Sequence, residues 1–346
     1  MRIIFMGNDE FSLPFAKFCI ENHQSLIVTS KDSLVHHYCK LKEFADNISI
    51  NQLIVTNIND EYDKLKEFNS DMIIVASFGS ILSSRILSLP AITCLNIHPS
   101  LLPKYRGPSP ISTALINNDR VTGVSLMKMN DKMDEGDIYA RVCVPIEAND
   151  NYFSLLKRCS LFGLELLKEN IYDIVNPIES NRIKPIEQSQ FISSLRTYTG
   201  PLIYEPLNYQ SEFEEMINKM NDNDLIKSFY THKITKNTLK INWNWPVRKI
   251  IGVINCYKEK AWTSYKGKKL FITSAEPLTI NINEYYKANK LPGEAFIVED
   301  RNEKYLSIVC GDYLLRVYRI QREGKKEMDI KSFLNGARFF SSFSFD

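Results

Sequence analysis

The sequence predicts an α/β fold, a Rossmann-like parallel sheet followed by a small C-terminal β-barrel, OB-like in its make-up. Three observations carry that reading. Short apolar and β-branched runs alternate with helical stretches through the first half, as they do in sheets built from βαβ crossovers. After residue 232 the pattern changes to short strands set apart by glycine and proline turns. The charge changes with it.

Taken in order, the strands of the first half lie at 3–6, 26–29, 52–55, 72–76 and 94–98. Helices at 11–20, 34–44, 61–68 and 81–87 fall between them. A helix at 111–116 and strands at 124–129 and 138–145 come next. A long amphipathic helix at 153–174, with Leu155, Leu156, Leu161, Leu164, Leu166 and Leu167, closes a domain at residue 175. Residues 176–232 are polar and carry charges of both signs, which reads as a linker. The second domain, 233–346, has a strand at 240–243 turning into a helix at 247–256, then strands at 270–274, 295–299, 305–310 and 313–321. Gly267, Pro292-Gly293 and Gly311-Asp312 supply the turns between strands.

Composition excludes several classes. With 44% hydrophobic and 24% charged residues the chain is ordinary for a globular protein, and no run approaches the roughly 18 apolar residues of a membrane span. The apolar start is only five residues long and leads straight to Gly7, so it reads as a strand and not as a signal peptide. Seven cysteines, odd in number and widely spaced, form no Cys-x-x-Cys pair, which points to reduced thiols and no metal. Gly7-Asn8-Asp9-Glu10 is no dinucleotide fingerprint, and no phosphate loop occurs.

Charge is informative by region. Residues 231–346 hold 21 Lys and Arg against 12 Asp and Glu, a surplus of nine, while the whole chain carries +2, which leaves −7 on residues 1–230. A basic module joined to an acidic one suits a polyanionic partner. A solvated basic surface is the plainer alternative.

The chemistry concentrates between residues 94 and 139. Asn96 and His98 are two apart at the end of a strand, so their side chains share one face. Pro99 and Pro103 end that strand and start an irregular loop, at the carboxyl edge where open sheets bind ligands. Asp134 follows downstream in the run Asp134-Glu135-Gly136-Asp137. An amide can donate to an oxyanion, an imidazole can move protons near neutral pH, and a carboxylate can orient and charge the imidazole. Acyl transfer needs those three services. His23, His36, His37 and His232 have no comparable surroundings and read as surface or core histidines.

The residues 95–103, Arg106-Gly107, Thr122-Gly123-Val124 and 134–137 resemble the signature of the folate-dependent formyltransferases. Asn96, His98 and Asp134 match that family's catalytic trio, and Ser100, Leu101, Leu102 and Pro103 match its folate-contacting loop. The opening Gly-Asn-Asp-Glu-Phe departs from the family's usual Gly-Thr-Pro-Glu-Phe. In the second half, Lys233-Ile234-Thr235-Lys236, Ile241-Asn242-Trp243, Pro292-Gly293, 309–312, 321–326 and 333–336 resemble, in order, the C-terminal domain of the members that act on aminoacyl-tRNA.

The resemblance implies formyl transfer from 10-formyltetrahydrofolate, a co-substrate, to the α-amino group of initiator methionyl-tRNA, with no metal. The reduced thiols suit a cytoplasmic protein, or an organelle-matrix protein after loss of a presequence, and a monomer is expected. The family's long basic loop after the second strand is short here, since residues 29–33 run quickly into the helix at 34–44. Contact with tRNA then falls to the linker and the basic barrel, through Lys233, Lys236, Lys240, Arg248 and Lys249. Two rivals are an amino-sugar formyltransferase, which predicts a different or missing C-terminal domain, and an RNA-binding protein without catalysis. The group that deprotonates the amine stays open, between a water and His98.

Overall fold

In a computed structural model of the chain, the described residues are 1–31, 40–177, 184–190, 229–257, 260–278, 291–300, 303–336 and 342–345. His36, His37, Cys39, most of the helix expected at 34–44, the short run after Lys31 and the bulk of the 176–232 linker lie outside them. Two compact units emerge. The first takes residues 1–111, 121–145 and 154–232, the second 112–120, 146–153 and 233–346.

The first unit holds a seven-stranded sheet. Its strands are β1 (Arg2–Gly7), β2 (Gln24–Ser30), β3 (Gln52–Val55), β4 (Met72–Ala76), β5 (Thr93–His98), β6 (Val121–Lys128) and β7 (Ile138–Pro145), in the order β3-β2-β1-β4-β5-β6-β7. Pairing is parallel from β3 to β5 and antiparallel at β5-β6 and β6-β7. Every residue of β4 and β5 is buried, as expected for strands covered on both faces. Ile4, Met6, Val28, Ile73, Val75 and Cys94 lie in one core cluster of this unit.

Helices α1 (Leu13–Asn22), α2 (Lys40–Asn47), α3 (Tyr62–Glu67), α4 (Ser84–Leu87), α5 (Pro110–Ile116) and α6 (Tyr152–Val175) separate or follow the strands. The expected 81–87 helix starts only at Ser84, and Ile81 is exposed. Ser83 N instead donates to the Asn59 side chain at 2.8 Å. In α6, Leu155, Leu156, Leu166 and Leu167 are buried while Leu161 is exposed, so the apolar stripe is narrower than its leucines imply.

The second unit holds α7 (Val247–Cys256) and β8 (Trp262–Tyr265), β9 (Lys268–Leu278), β10 (Glu294–Asp300), β11 (Glu303–Val309), β12 (Leu314–Arg322), β13 (Glu327–Asp329), α8 (Ile330–Gly336) and β14 (Ser342–Ser344). The strands are antiparallel in the order β14-β10-β11-β12-β9-β8, with β13 beside β12. The small barrel expected here takes the form of a curled half-barrel. Its core gathers Trp243, Ile250, Val253, Ile272, Leu306 and Phe333.

The strand expected at 240–243 does not form, and Lys240 makes only an isolated bridge with Trp262. Backbone turns close at Asn237–Lys240 and Asn242–Trp245. Within the second turn the Trp243 indole is buried and donates to Thr263 Oγ1 at 3.1 Å, so the segment anchors the core and its backbone meets its neighbour only at Trp262. Strand β8 escaped the sequence reading. It is closed onto β9 by Lys266-Gly267, both at positive φ (51° and 72°), the geometry of a tight hairpin turn. Among the described residues no helix is long and apolar enough to cross a membrane.

Candidate active site

Asn96 and His98 leave β5 on one face while Leu95 and Ile97 fill the other, and all four are buried. The strand stops at His98, and residues 99–107 form a braced loop. Ser100 Oγ donates to Lys104 O (2.6 Å), Ser125 Oγ donates to Ser100 O (2.7 Å), and Leu102 N donates to Ser125 Oγ (3.0 Å). Arg141 Nη1 holds Leu102 O at 2.8 Å. The Leu102–Pro103 bond is cis. Ser100 and Leu102 are fully buried, Leu102 against Met127 and Ile138, whereas Leu101 is half-buried. The side chains of Ser100 and Leu102 therefore shape the loop, and its backbone and Leu101 are what it can offer to a ligand.

The connection from β6 to β7 brings the third residue. It begins with Met129 N bonded to Cys94 O (2.8 Å) and ends with Lys128 N bonded to Asp137 O (2.8 Å). Within it Asp134 adopts the left-handed region at φ 53°. A Cβ on Gly136 would lie 1.7 Å from Lys128 O, so only glycine fits there.

Asn96 Nδ2 donates to Asp134 Oδ1 at 3.1 Å. His98 Nδ1 lies 3.7 Å from Asp134 Oδ2, which accepts the Gly107 N–H at 2.8 Å. His98 Nε2 is 2.9 Å from Tyr105 O. A carbonyl only accepts, so Nε2 carries the hydrogen and Nδ1 is the nitrogen turned to the carboxylate. The sequence-derived trio thus converges on one point.

Beneath that point is a network that sequence reasoning missed. Gln188 Nε2 donates to both Asp134 O and Gly136 O at 2.8 Å. Its Oε1 accepts Arg106 Nε (2.8 Å) and Nη2 (2.6 Å). Arg106 Nη1 donates to Tyr230 OH (3.1 Å), and that hydroxyl donates to Glu135 Oε1 (2.5 Å). Burial pushes the Tyr230 phenol up, its bond to Glu135 adds to this and Arg106 opposes it, which keeps Tyr230 a neutral donor. Arg106-Gly107 was visible as part of a motif. Gln188 and Tyr230 sit in the polar stretch read as linker and carry no signal of their own.

The first turn is tied down as well. Asn8 donates to Phe78 O (2.7 Å) and accepts the Ser30 N–H (2.8 Å), joining the ends of β1, β2 and the chain after β4. Asp9 Oδ1 accepts from Phe11 N (3.1 Å) and Ser12 N (3.3 Å). Burial nonetheless pushes its carboxyl up to about 6.

In the second unit, Lys233, Lys236, Lys240 and Arg248 are exposed and Lys249 is half-buried. Lys240 and Lys269 both lie over the Trp262 ring, at 5.5 and 4.7 Å, and Lys249 lies over Trp245 at 4.8 Å. Cations over aromatic faces can serve nucleic-acid backbones and bases together.

Comparison with known proteins agrees with this architecture. Residues 16–171 match the formyl transferase family model and residues 233–338 match the formyl transferase C-terminal domain. A methionyl-tRNA formyltransferase of Caldanaerobacter subterraneus is 31% identical over 348 residues, covering 97% of both chains. One of Lachnospira eligens is 30% identical over 97% of this chain and 96% of its own. Among solved structures, the sugar 3N-formyl transferase WlaRD, in the presence of dTDP and 5-N-formyl-THF, aligns with TM-score 0.56 and 21% identity over 94% of this chain and 99% of its own. An N-formyltransferase from Helicobacter canadensis, in complex with folinic acid and dTDP-3-aminofucose, aligns with TM-score 0.56 and 21% identity over 92% and 98%. At that identity the structures establish the fold. Both formyl transferase domains in order, with relatives at about 30% identity aligned over 97% of the chain, decide the kinship: the chain belongs to the methionyl-tRNA formyltransferase family.

Proposed function

We propose that the chain transfers the formyl group of 10-formyltetrahydrofolate to the α-amino group of initiator methionyl-tRNA. The observation that carries the reading is the Asp134 carboxylate shared by Asn96 and His98, in a chain whose second domain is also that of the family. Residues 1–175 act as the catalytic domain, 176–232 as a linker and 233–346 as the tRNA-binding domain. The enzyme works as a cytoplasmic monomer without a metal.

Bound folate supplies an activated formyl group on N10. Attack by the amine forms the new C–N bond, the bond to N10 breaks, and one proton passes overall from the amine to N10. Asn96 commits one amide hydrogen to Asp134, and its second can donate to the formyl oxygen as charge builds there. Asp134 Oδ2, 3.7 Å from His98 Nδ1, attracts and orients the ring when that nitrogen carries a proton. The braced loop around Ser100, Leu101, Leu102 and Pro103 suits a flat ring through its backbone and Leu101, since the Ser100 and Leu102 side chains are occupied inside. Lys233, Lys236, Lys240, Arg248 and Lys249 neutralise tRNA phosphates, with Lys240 and Lys269 both over the Trp262 ring.

The test is a radiolabelled formyl-transfer assay with Met-tRNA, other aminoacyl-tRNAs and amino-sugar nucleotides side by side. Label on Met-tRNA alone supports the reading. Label on the sugar nucleotides and none on tRNA overturns it.

A further inference from the structure

We propose that Arg106, Gln188 and Tyr230 form one clamp that positions the Asp134 carboxylate. The proposal rests on the reading of Asp134 as part of the catalytic trio.

Asp134 sits at positive φ in a loop whose neighbouring Gly136 admits no side chain, a conformation that needs outside support. Gln188 supplies it by donating from a single nitrogen to the carbonyls of Asp134 and Gly136, on either side of Glu135. Glu135 itself is held through its side chain by the Tyr230 hydroxyl. Three successive residues are therefore gripped from below while the Asp134 carboxylate faces the other way, to Asn96, His98 and Gly107.

Arg106 joins the two arms of the grip. Its Nε and Nη2 fix the Gln188 oxygen, which orients the amide nitrogen toward the loop, and its Nη1 fixes Tyr230. Its backbone adds to this, because Arg106 N donates to Phe229 O (2.6 Å) and Thr231 N donates to Arg106 O (2.7 Å). The buried guanidinium has Glu135 at 3.9 Å as its counter-charge. The same dipeptide ends on Gly107, whose N–H meets the Asp134 carboxylate directly. Loop, carboxylate and clamp are thus parts of one hydrogen-bonded body. Arg106, Gln188 and Tyr230 are positioning residues and touch no reacting atom.

The test combines NMR with kinetics on the full chain labelled with 15N-histidine, the His98 ring signals being assigned from their loss in His98→Gln. Gln188→Met keeps the length of the side chain and removes its hydrogen bonds, while Tyr230→Phe removes one oxygen. In Gln188→Met the His98 signals should move toward those of Asp134→Ala, and kcat should fall about tenfold to a hundredfold, as misplacement of a reacting group by about 1 Å does. KM for both substrates should stay within about twofold. Tyr230→Phe should move both readouts the same way by less, and it decides alone if Gln188→Met does not fold. His98 signals at their wild-type positions in the folded variants would overturn the clamp, since a merely structural role lowers melting temperature without touching them. If the signals move but wild-type protein does not formylate Met-tRNA, the clamp stands and the functional reading falls.

Discussion

Asn96 donates one amide hydrogen to Asp134 at 3.1 Å, so the residue that would meet the oxyanion is itself aimed by the carboxylate beside it. Asn96→Ala should therefore lower kcat by a factor corresponding to about 3 kcal/mol of lost transition-state stabilisation, with KM nearly unchanged. His98→Ala should be at least as damaging. Steady-state kinetics on purified variants check both, and unchanged turnover in either would remove that residue from the trio.

Gly136→Ala should deform the Asp134 loop, because the added Cβ meets the Lys128 carbonyl oxygen at 1.7 Å and a paired strand cannot give way like a flexible side chain. We expect a stability loss of about 2–3 kcal/mol by urea unfolding, together with reduced kcat. A variant as stable and active as wild type would show that the loop has another conformation available.

Asp9 has its carboxyl raised from 3.8 to about 6, chiefly by burial. Between those values the folded chain holds a proton that the unfolded chain releases, so stability falls as pH rises through that window and stays lowered above it. Asp9→Asn keeps an oxygen for the Phe11 and Ser12 N–H groups and has no charge to desolvate. It should be more stable than wild type by about 2 kcal/mol at pH 7.5, with the advantage vanishing toward pH 4. Denaturation midpoints measured across pH test the sign, and a variant less stable at pH 7.5 contradicts it.

Lys240→Ala and Lys269→Ala, on the two cations over Trp262, should each weaken Met-tRNA binding and make log K fall less steeply with log salt, by roughly 0.7–0.9 for each phosphate left without its lysine. Folate binding should not change. Filter binding at several salt concentrations gives the slope directly, and an unaltered slope would assign these lysines to ordinary solvated surface.

The β4 boundaries were legible to the residue because Met72–Ala76 is an unbroken apolar run between Asp71 and Ser77, and those of β3 and β7 because β-branched and apolar residues dominate each. The trio was legible for a related reason. Asn96 and His98 stand where such a run meets proline, and Asp134 lies in a motif that resembles a known one. Gln188 was not legible, since it meets Arg106 across 82 residues and a lone polar residue in a polar stretch announces nothing. The apolar residues at 240–243 misled for the opposite reason: Ile241 and Trp243 are buried as anchors of the second core, and alternation alone cannot tell an anchor from a strand.

Cys94 shares the face of β5 that carries Asn96 and His98, yet its thiol is buried, packed 3.5 Å from Met129 Sδ and pushed up to about 12. The other described cysteines are buried too. For inhibitor discovery this means that electrophilic warheads meet only a buried thiol, not an exposed thiolate, on the β5 strand that carries Asn96 and His98. A compound directed here has to gain residence time from reversible contacts with the Asn96 amide and the backbone of the loop after His98, and screening collections built on acrylamides or chloroacetamides are a poor place to start.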